Sequence, residues 1–175
     1  MPLTEIVRDA DNRFADIIDG LPPHLQPDEV KTDETRARDA LYPWIPWQQV
    51  NLTLVLLNFR LAINRCLQHE WLADPTNLSG PRAICLSSAK GIIWISQHWA
   101  APIARRRQWA MSVQIYAAGA FLAVESKEDY AEEIDFCISY LDKVQANSAV
   151  AGKAARILRE FMASNVSEGG TGTTV

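Results

Sequence analysis

Apolar residues recur along this chain at intervals of three and four, and no stretch alternates cleanly between apolar and polar neighbours, so the pattern predicts helices and no strands. A first helix is expected from about Thr4 to Gly20, with Ile6, Ala10, Phe14, Ile17 and Leu21 as its stripe. Gly20 and the Pro22-Pro23 pair stop it. The segment "PPHLQPDEVKTDETRARDALYP" reads as a polar connection with one turn of helix and a mobile middle. A second helix, over about 47–73, is apolar almost all round between Val50 and Ile63, as suits a rod in the middle of a bundle, and ends before Pro75.

Ser79 is placed to cap a third helix, which carries Pro81 in its first turn, where a missing N–H costs little. Pro102 opens a fourth, whose stripe runs through Ile103, Ala110, Val113, Ala117, Ala120 and Val124, small residues that suit close helix packing. A fifth, about 127–145, puts Tyr130, Ile134, Cys137, Leu141 and Val144 on one face. The sixth follows Ser148 and turns Ile157, Leu158 and Phe161 inward. The fold expected is all-α, an irregular bundle of about six helices forming one domain over 1–163, with 164–175 as a flexible tail.

Composition narrows the class without changing it. A chain of 175 residues with 48% hydrophobic residues builds one core of ordinary size. Its net charge of -4 argues against a broad nucleic-acid footprint. Three scattered cysteines, Cys66, Cys85 and Cys137, give no disulfide framework and suit a reducing, intracellular compartment. "MPLTEIVRDADNRF" lacks the apolar core of a secretory signal, so the sequons at Asn51, Asn77 and Asn165 read as chance. The run "VNLTLVLLNFRLAI" is interrupted by Asn51, Asn58 and Arg60 and falls short of about 18 clean apolar residues, which makes it a buried helix and no membrane span.

Candidate chemistry is sparse. "PRAICLSSAKGIIWISQHW" holds a thiol, a Ser-x-x-Lys spacing and an imidazole, but on a helix Cys85, Ala89, Ile92, Ile95 and Trp99 share one face while Ser87, Lys90, Gln97 and His98 lie opposite. Thirteen residues, roughly 20 Å of helix, also separate Cys85 from His98, too far for a dyad. Ser87 and Lys90 lack the companion motifs of a Ser-Lys hydrolase. Cys66 and His69 stand three apart, yet a closed zinc site needs about four ligands and only His24 and His98 remain as further histidines, so the pair reads as a buried thiol and a surface imidazole. "EEID" (132–135) reads as a wet helix face and "ARRRQW" (104–109) as a solvated helix start. No catalytic residue, metal ligand or cofactor site is assigned. Six tryptophans are many for this length, and "YPWIPW" strings two between prolines. Tyr42, Trp44, Trp47, Trp94 and Trp99 are the candidate lining of a pocket for an apolar metabolite, with core packing as the competing use of the same rings.

"LPPHLQPD", "LTLVLLNFRLAINR", "CLSSAKGII", "IDFCISYL" and "SAVAGKAARILREFM", in that order over about residues 10–163, resemble the second half of the middle (regulatory) region of fungal zinc-cluster transcription factors. There the Cys85, Ser88 and Ala89 positions are packing positions. The frequent His-Arg-Pro of that family is replaced here by "NFRLAINR", and the six-cysteine DNA-reading module and the front half of the regulatory region have no counterpart. The resemblance implies a nuclear (or otherwise intracellular) interaction module, either a fragment or a free-standing relative, that does not bind DNA itself. It implies self-association, or pairing with a full-length zinc-cluster factor, through apolar surface that the absent front half would cover, or the binding of a small apolar metabolite. The competing class is a small all-α enzyme or binding protein with the tryptophan-rich pocket.

Overall fold

The structure, a computed structural model, describes residues 1–74, 76, 79–99 and 109–164. Those residues hold seven helical rods and no strand, so the all-α expectation stands, with one rod more than about six. The chain divides into two compact units, residues 1–97 and 98–175.

The first unit begins with α1 (Leu3–Asp19). Gly20 keeps an ordinary right-handed φ of -80°, so the stop comes from Pro22 and Pro23 and owes nothing to glycine's freedom. The inner face of α1 is turned by about one residue from the expected stripe. Val7 and Asp11 are buried, whereas Ile6 and Ile17 are exposed. The cause is Asp11, whose partners lie inside the unit.

The connection is more ordered than its polarity suggested. A 3-10 turn at Pro23–Leu25 precedes α2 (Asp33–Leu41). Thr32 caps α2 by accepting from the Thr35 N–H at 3.3 Å, and Asp33 and Glu34 in the first turn complement the helix dipole. The segment is tied down on both sides. Gln26 donates to the carbonyls of Asp19 (3.2 Å) and Leu21 (2.9 Å), and buried Gln49 donates to the Gln26 carbonyl. Arg38 grips Glu29 through two bonds of 2.6 and 2.8 Å, and Lys31 reaches Glu29, Asp39 and Gln49.

The longest rod runs from Trp44 to Ala73 as α3 (Trp44–Asn64), a 3-10 turn (Arg65–Leu67) and α4 (Gln68–Ala73). It starts earlier than expected because Pro46 falls in the first turn, which lacks intrahelical N–H bonds anyway. At this full length it is the one rod among the described residues that is long and apolar enough to cross a membrane. Of its most apolar stretch 28% is buried, less than the expectation of a buried helix, and its polar Gln49, Arg60 and Asn64 all find partners on neighbouring segments of the same unit. α5 (Ser79–His98) lies against α3, with the Cys85 thiol donating to the Leu61 carbonyl at 3.6 Å and Gly91 close to Leu57. Its expected faces hold: Cys85, Ala89 and Ile92 are buried, and Ser87, Lys90, Gln97 and His98 are exposed.

The second unit is a three-helix bundle of α6 (Trp109–Glu125), α7 (Ala131–Val144) and α8 (Ala149–Ala163), each packed on the other two. Short connections force consecutive helices to run antiparallel. Ile134, Cys137, Leu141 and Val144 are buried on α7 as expected. On α6 the expected stripe is displaced: Val113 and Val124 are exposed, and Met111, Ile115, Phe121 and Leu122 are buried. A helix apolar nearly all round offers no polar face to set its phase, so the bulkiest side chains decide it. On α8 Leu158 is buried with Ala151, Ala154 and Ala155, Ile157 is half-buried, and Phe161 is exposed. Small residues bring these helices close. A Cβ on Gly119 would stand 3.1 Å from Cys137 Cβ and 3.3 Å from Leu158 Cδ1. The expected start of the fourth helix at Pro102 and the tail from 165 lie outside the described residues.

Candidate functional site: a cleft beside a buried ion pair

Asp11 projects from α1 into the first unit and is only 6% exposed. A lone carboxylate there is costly unless paired. Arg60 on α3 meets it in a fork, Nε to Oδ1 at 2.9 Å and Nη2 to Oδ2 at 2.7 Å. One turn on, Asn64 donates Nδ2 to the same carboxylate at 3.0 Å and to the Arg60 carbonyl at 3.0 Å. The hydrogen bonds from Arg60 hold the Asp11 carboxyl below its usual range against the opposing pull of burial, with Asn64 adding to the effect.

Beside this pair lies a cleft of about 320 Å³, within the size range of small-molecule sites. Its apolar walls are Val7, Leu67, Pro81 and Ile84. Thr4, Arg8, Asp11, Asn12 and Asn64 supply the polar groups, and Gly80 stands where α5 begins. Four elements make it: α1, the last residue of α3, the 3-10 break that follows, and the first two turns of α5. The break matters because Asn64 sits just before it and Leu67 closes it.

Arg8 is exposed and has no hydrogen-bond or ion-pair partner among the described residues. Asn64 is 1% exposed. Both partners of its nitrogen are acceptors, which fixes the orientation of the amide. Its carbonyl oxygen accepts no hydrogen bond among the described residues.

A second cleft, about 310 Å³, sits in the second unit against Ala123–Glu128, Phe161 and Ser164. Its cation is already engaged. Lys127 lies 4.4 Å over the Phe161 ring and donates to the Phe161 carbonyl at 2.6 Å, closing the end of α8.

The aromatic candidates line neither cleft. Tyr42 and Trp44 pack edge to face, 5.3 Å between ring centres, and both are exposed. Trp47 is half-buried, and its indole nitrogen is buried with no hydrogen-bond partner among the described residues. Trp94 is 60% exposed and Trp99 half-buried. The one tryptophan that fills a core is Trp71, on α4.

Of the reactive-looking groups, Cys85 and Cys137 are buried, and burial together with the Glu133 charge pushes the Cys137 thiol up to about 12. Cys66 corrects the expectation of a buried thiol: it is exposed, with its sulfur 3.5 Å from the Ala62 carbonyl. Among the described residues no three His, Cys, Asp or Glu side chains gather as a metal-ligand group. The groups that matter here, Asp11, Arg60 and Asn64, were not singled out from the sequence. A solitary arginine in an otherwise apolar helix, followed at i+4 by an asparagine, was the available signal, because a buried cation demands a partner.

No protein-family model, no curated protein and no solved structure matches this chain.

Proposed function

We propose that the chain is a regulatory module that takes a small effector in the cleft of its first unit and acts through protein contacts, in the manner of the middle region of fungal zinc-cluster transcription factors and without reading DNA itself. The observation that carries this reading is the cleft: mostly apolar walls, a few convergent polar groups, and beside it an ion pair stiff enough to hold its shape. The net charge of -4 accords with a module that leaves DNA contact to a partner. Self-association or pairing with a full-length zinc-cluster factor belongs to the same proposal. Tyr42 and Trp44, an exposed pair, are residue types enriched at protein interfaces, and Leu41 beside them adds exposed apolar surface. The reading implies a nuclear protein.

The test is a reporter assay in which the chain is fused to an unrelated DNA-binding module. Wild type should change reporter output. Gly80→Leu, which adds bulk at a cleft position where a Cβ meets nothing within 4 Å, should abolish or lock that change. Identical output from both chains would remove the effector from the reading.

A further inference from the structure

We infer that the apolar stripe of α1 is the face on which a second copy of this chain docks, helix against helix and antiparallel with Ala10 at the twofold axis, as the surface behind the self-association proposed above, a reading on which this one rests.

Leu3, Ile6, Ala10, Phe14 and Ile17 lie on one side of α1, and Leu3, Ile6 and Ile17 are each about half exposed. An amphipathic helix ordinarily turns such a stripe inward. Here Val7 and Asp11 take the inner face, because Asp11 is bound to Arg60 and Asn64. Half-buried Phe14 stacks on Phe59 of α3, 5.7 Å between ring centres, and Phe59 is itself exposed, so the apolar surface continues onto α3.

The spacing of the stripe selects its occupant. Successive positions stand three, four, four and three residues apart, a series that reads the same from either end. Two copies laid antiparallel about Ala10 therefore match apolar to apolar along the helix: Leu3 against Ile17, Ile6 against Phe14, and Ala10 against itself, where the small side chain lets the backbones approach. Charge agrees with this arrangement. Asp9 and Arg13 stand on the solvent flank of the stripe, paired with each other at 2.9 Å and both largely exposed. The same twofold sets Arg13 of each copy beside Asp9 of the other, one ion pair at each side of the axis. A parallel pair loses both, because that flank of one copy then faces the α3 side of the other. Glu5, Asp9, Asp11, Asp16 and Asp19 outnumber Arg8 and Arg13 on α1, which disfavours a lipid surface as the occupant, an anionic one most of all.

The 17 residues of α1 give a strip about 25 Å long, and α3 beside it widens the strip to about 20 Å, so roughly 500 Å² per copy is covered. That is the small end for a specific pair and fits a dissociation constant of about micromolar size.

Analytical ultracentrifugation of the full chain over a concentration series tests this. Wild type should pass from monomer to dimer at about micromolar concentration. Ile6→Glu, at an exposed position, should weaken the dimer at least about thirtyfold while helix content by circular dichroism stays unchanged. Chains carrying Asp9→Arg or Arg13→Asp should each dimerise poorly alone and pair with one another on mixing. With the exposed Cys66 removed as Cys66→Ser, Ala10→Cys should crosslink to itself on mild oxidation, and Leu3→Cys only to Ile17→Cys. A dimer indifferent to Ile6→Glu overturns the α1 face and leaves self-association to another surface. Self-linking of Leu3→Cys overturns the antiparallel arrangement. A wild type that stays monomeric throughout the series overturns this inference together with self-association, and if that monomer binds phosphatidylcholine vesicles and Ile6→Glu does not, the stripe belongs to lipid. The effector reading answers to the reporter assay alone and survives each of these results.

Discussion

The two units hold their helices together by different means. The first unit ties distant segments with polar groups: Asp11 to Arg60 and Asn64, Gln26 to Gln49, and Arg38 and Lys31 to Glu29 and Asp39. The second relies mainly on contact, with polar ties only at its margins, such as Lys127 to the Phe161 carbonyl and Arg159 to Asp142. Gly119 meets Cys137 and Leu158, and Ala118, Ala151, Ala154 and Ala155 let three backbones approach. The difference teaches where each can host a ligand. A polar tether fixes two elements at a point and leaves room beside it, whereas helices in contact along small residues leave none between them, and the second unit's cleft lies at its end, against Ala123–Glu128 and the close of α8.

Overpacking should break the second unit most severely. Gly119→Leu forces a side chain into the Cβ of Cys137, a group with no freedom to move aside, and should cost about 3 kcal/mol, read as lost hydrogen-exchange protection in α6, α7 and α8. Unchanged protection there would show the helices to be less tightly apposed than the structure has them.

The corresponding cut in the first unit is Arg60→Ala. It strands the Asp11 carboxylate, and because Arg60 is 26% exposed, so that water can partly replace it, the cost should be about 2 kcal/mol, below that of a fully buried pair. Chemical denaturation gives the value, and the double change Asp11→Leu, Arg60→Met should recover most of it. If the single change costs nothing, the tether is ornamental and the contrast between the units fails.

Acid should produce the smallest effect and confine it to the first unit. Arg38, with Lys31 adding to it, holds Glu29 down at about 2 from an ordinary 4.5. A depressed carboxylate stabilises the fold above its unfolded value, so this contribution is complete above about pH 4.5 and is lost as pH falls from there through about 2. Asp11, lowered from 3.8, joins in the lower part of that window. Exchange protection of α1 and α2 should fall across it, and Glu29→Gln should flatten the upper part of the fall. An unaltered profile in that variant would exclude Glu29 as its source.

How much of this was legible in the sequence varied with the polarity of each helix. α7 gave its face away because Glu132, Asp135, Ser139 and Lys143 mark the wet side. α6, almost uniformly apolar, did not, and its register had to come from Met111, Phe121 and Leu122 finding room. α2 has no apolar stripe at all, and only its cap and first-turn acids announced it. α1 was misphased because an ion pair outranked two isoleucines, a decision made by Arg60, 49 residues away. The cleft had no local signature, since three segments far apart in the chain build it.

That span of 49 residues has a consequence for the order of events during synthesis. At translation speeds of about 5–20 residues per second, roughly 2–10 s pass between the making of Asp11 and the making of its partner. For that time α1 is an amphipathic helix with exposed apolar residues and an unmatched carboxylate. The bonds that close the second unit span less chain, 34 residues from Lys127 to Phe161, 29 from Met111 to Tyr140 and 17 from Asp142 to Arg159. The nascent first unit therefore holds a charged group waiting for its partner longer than any polar tie of the second unit waits, and it depends the more on protection from aggregation in that interval.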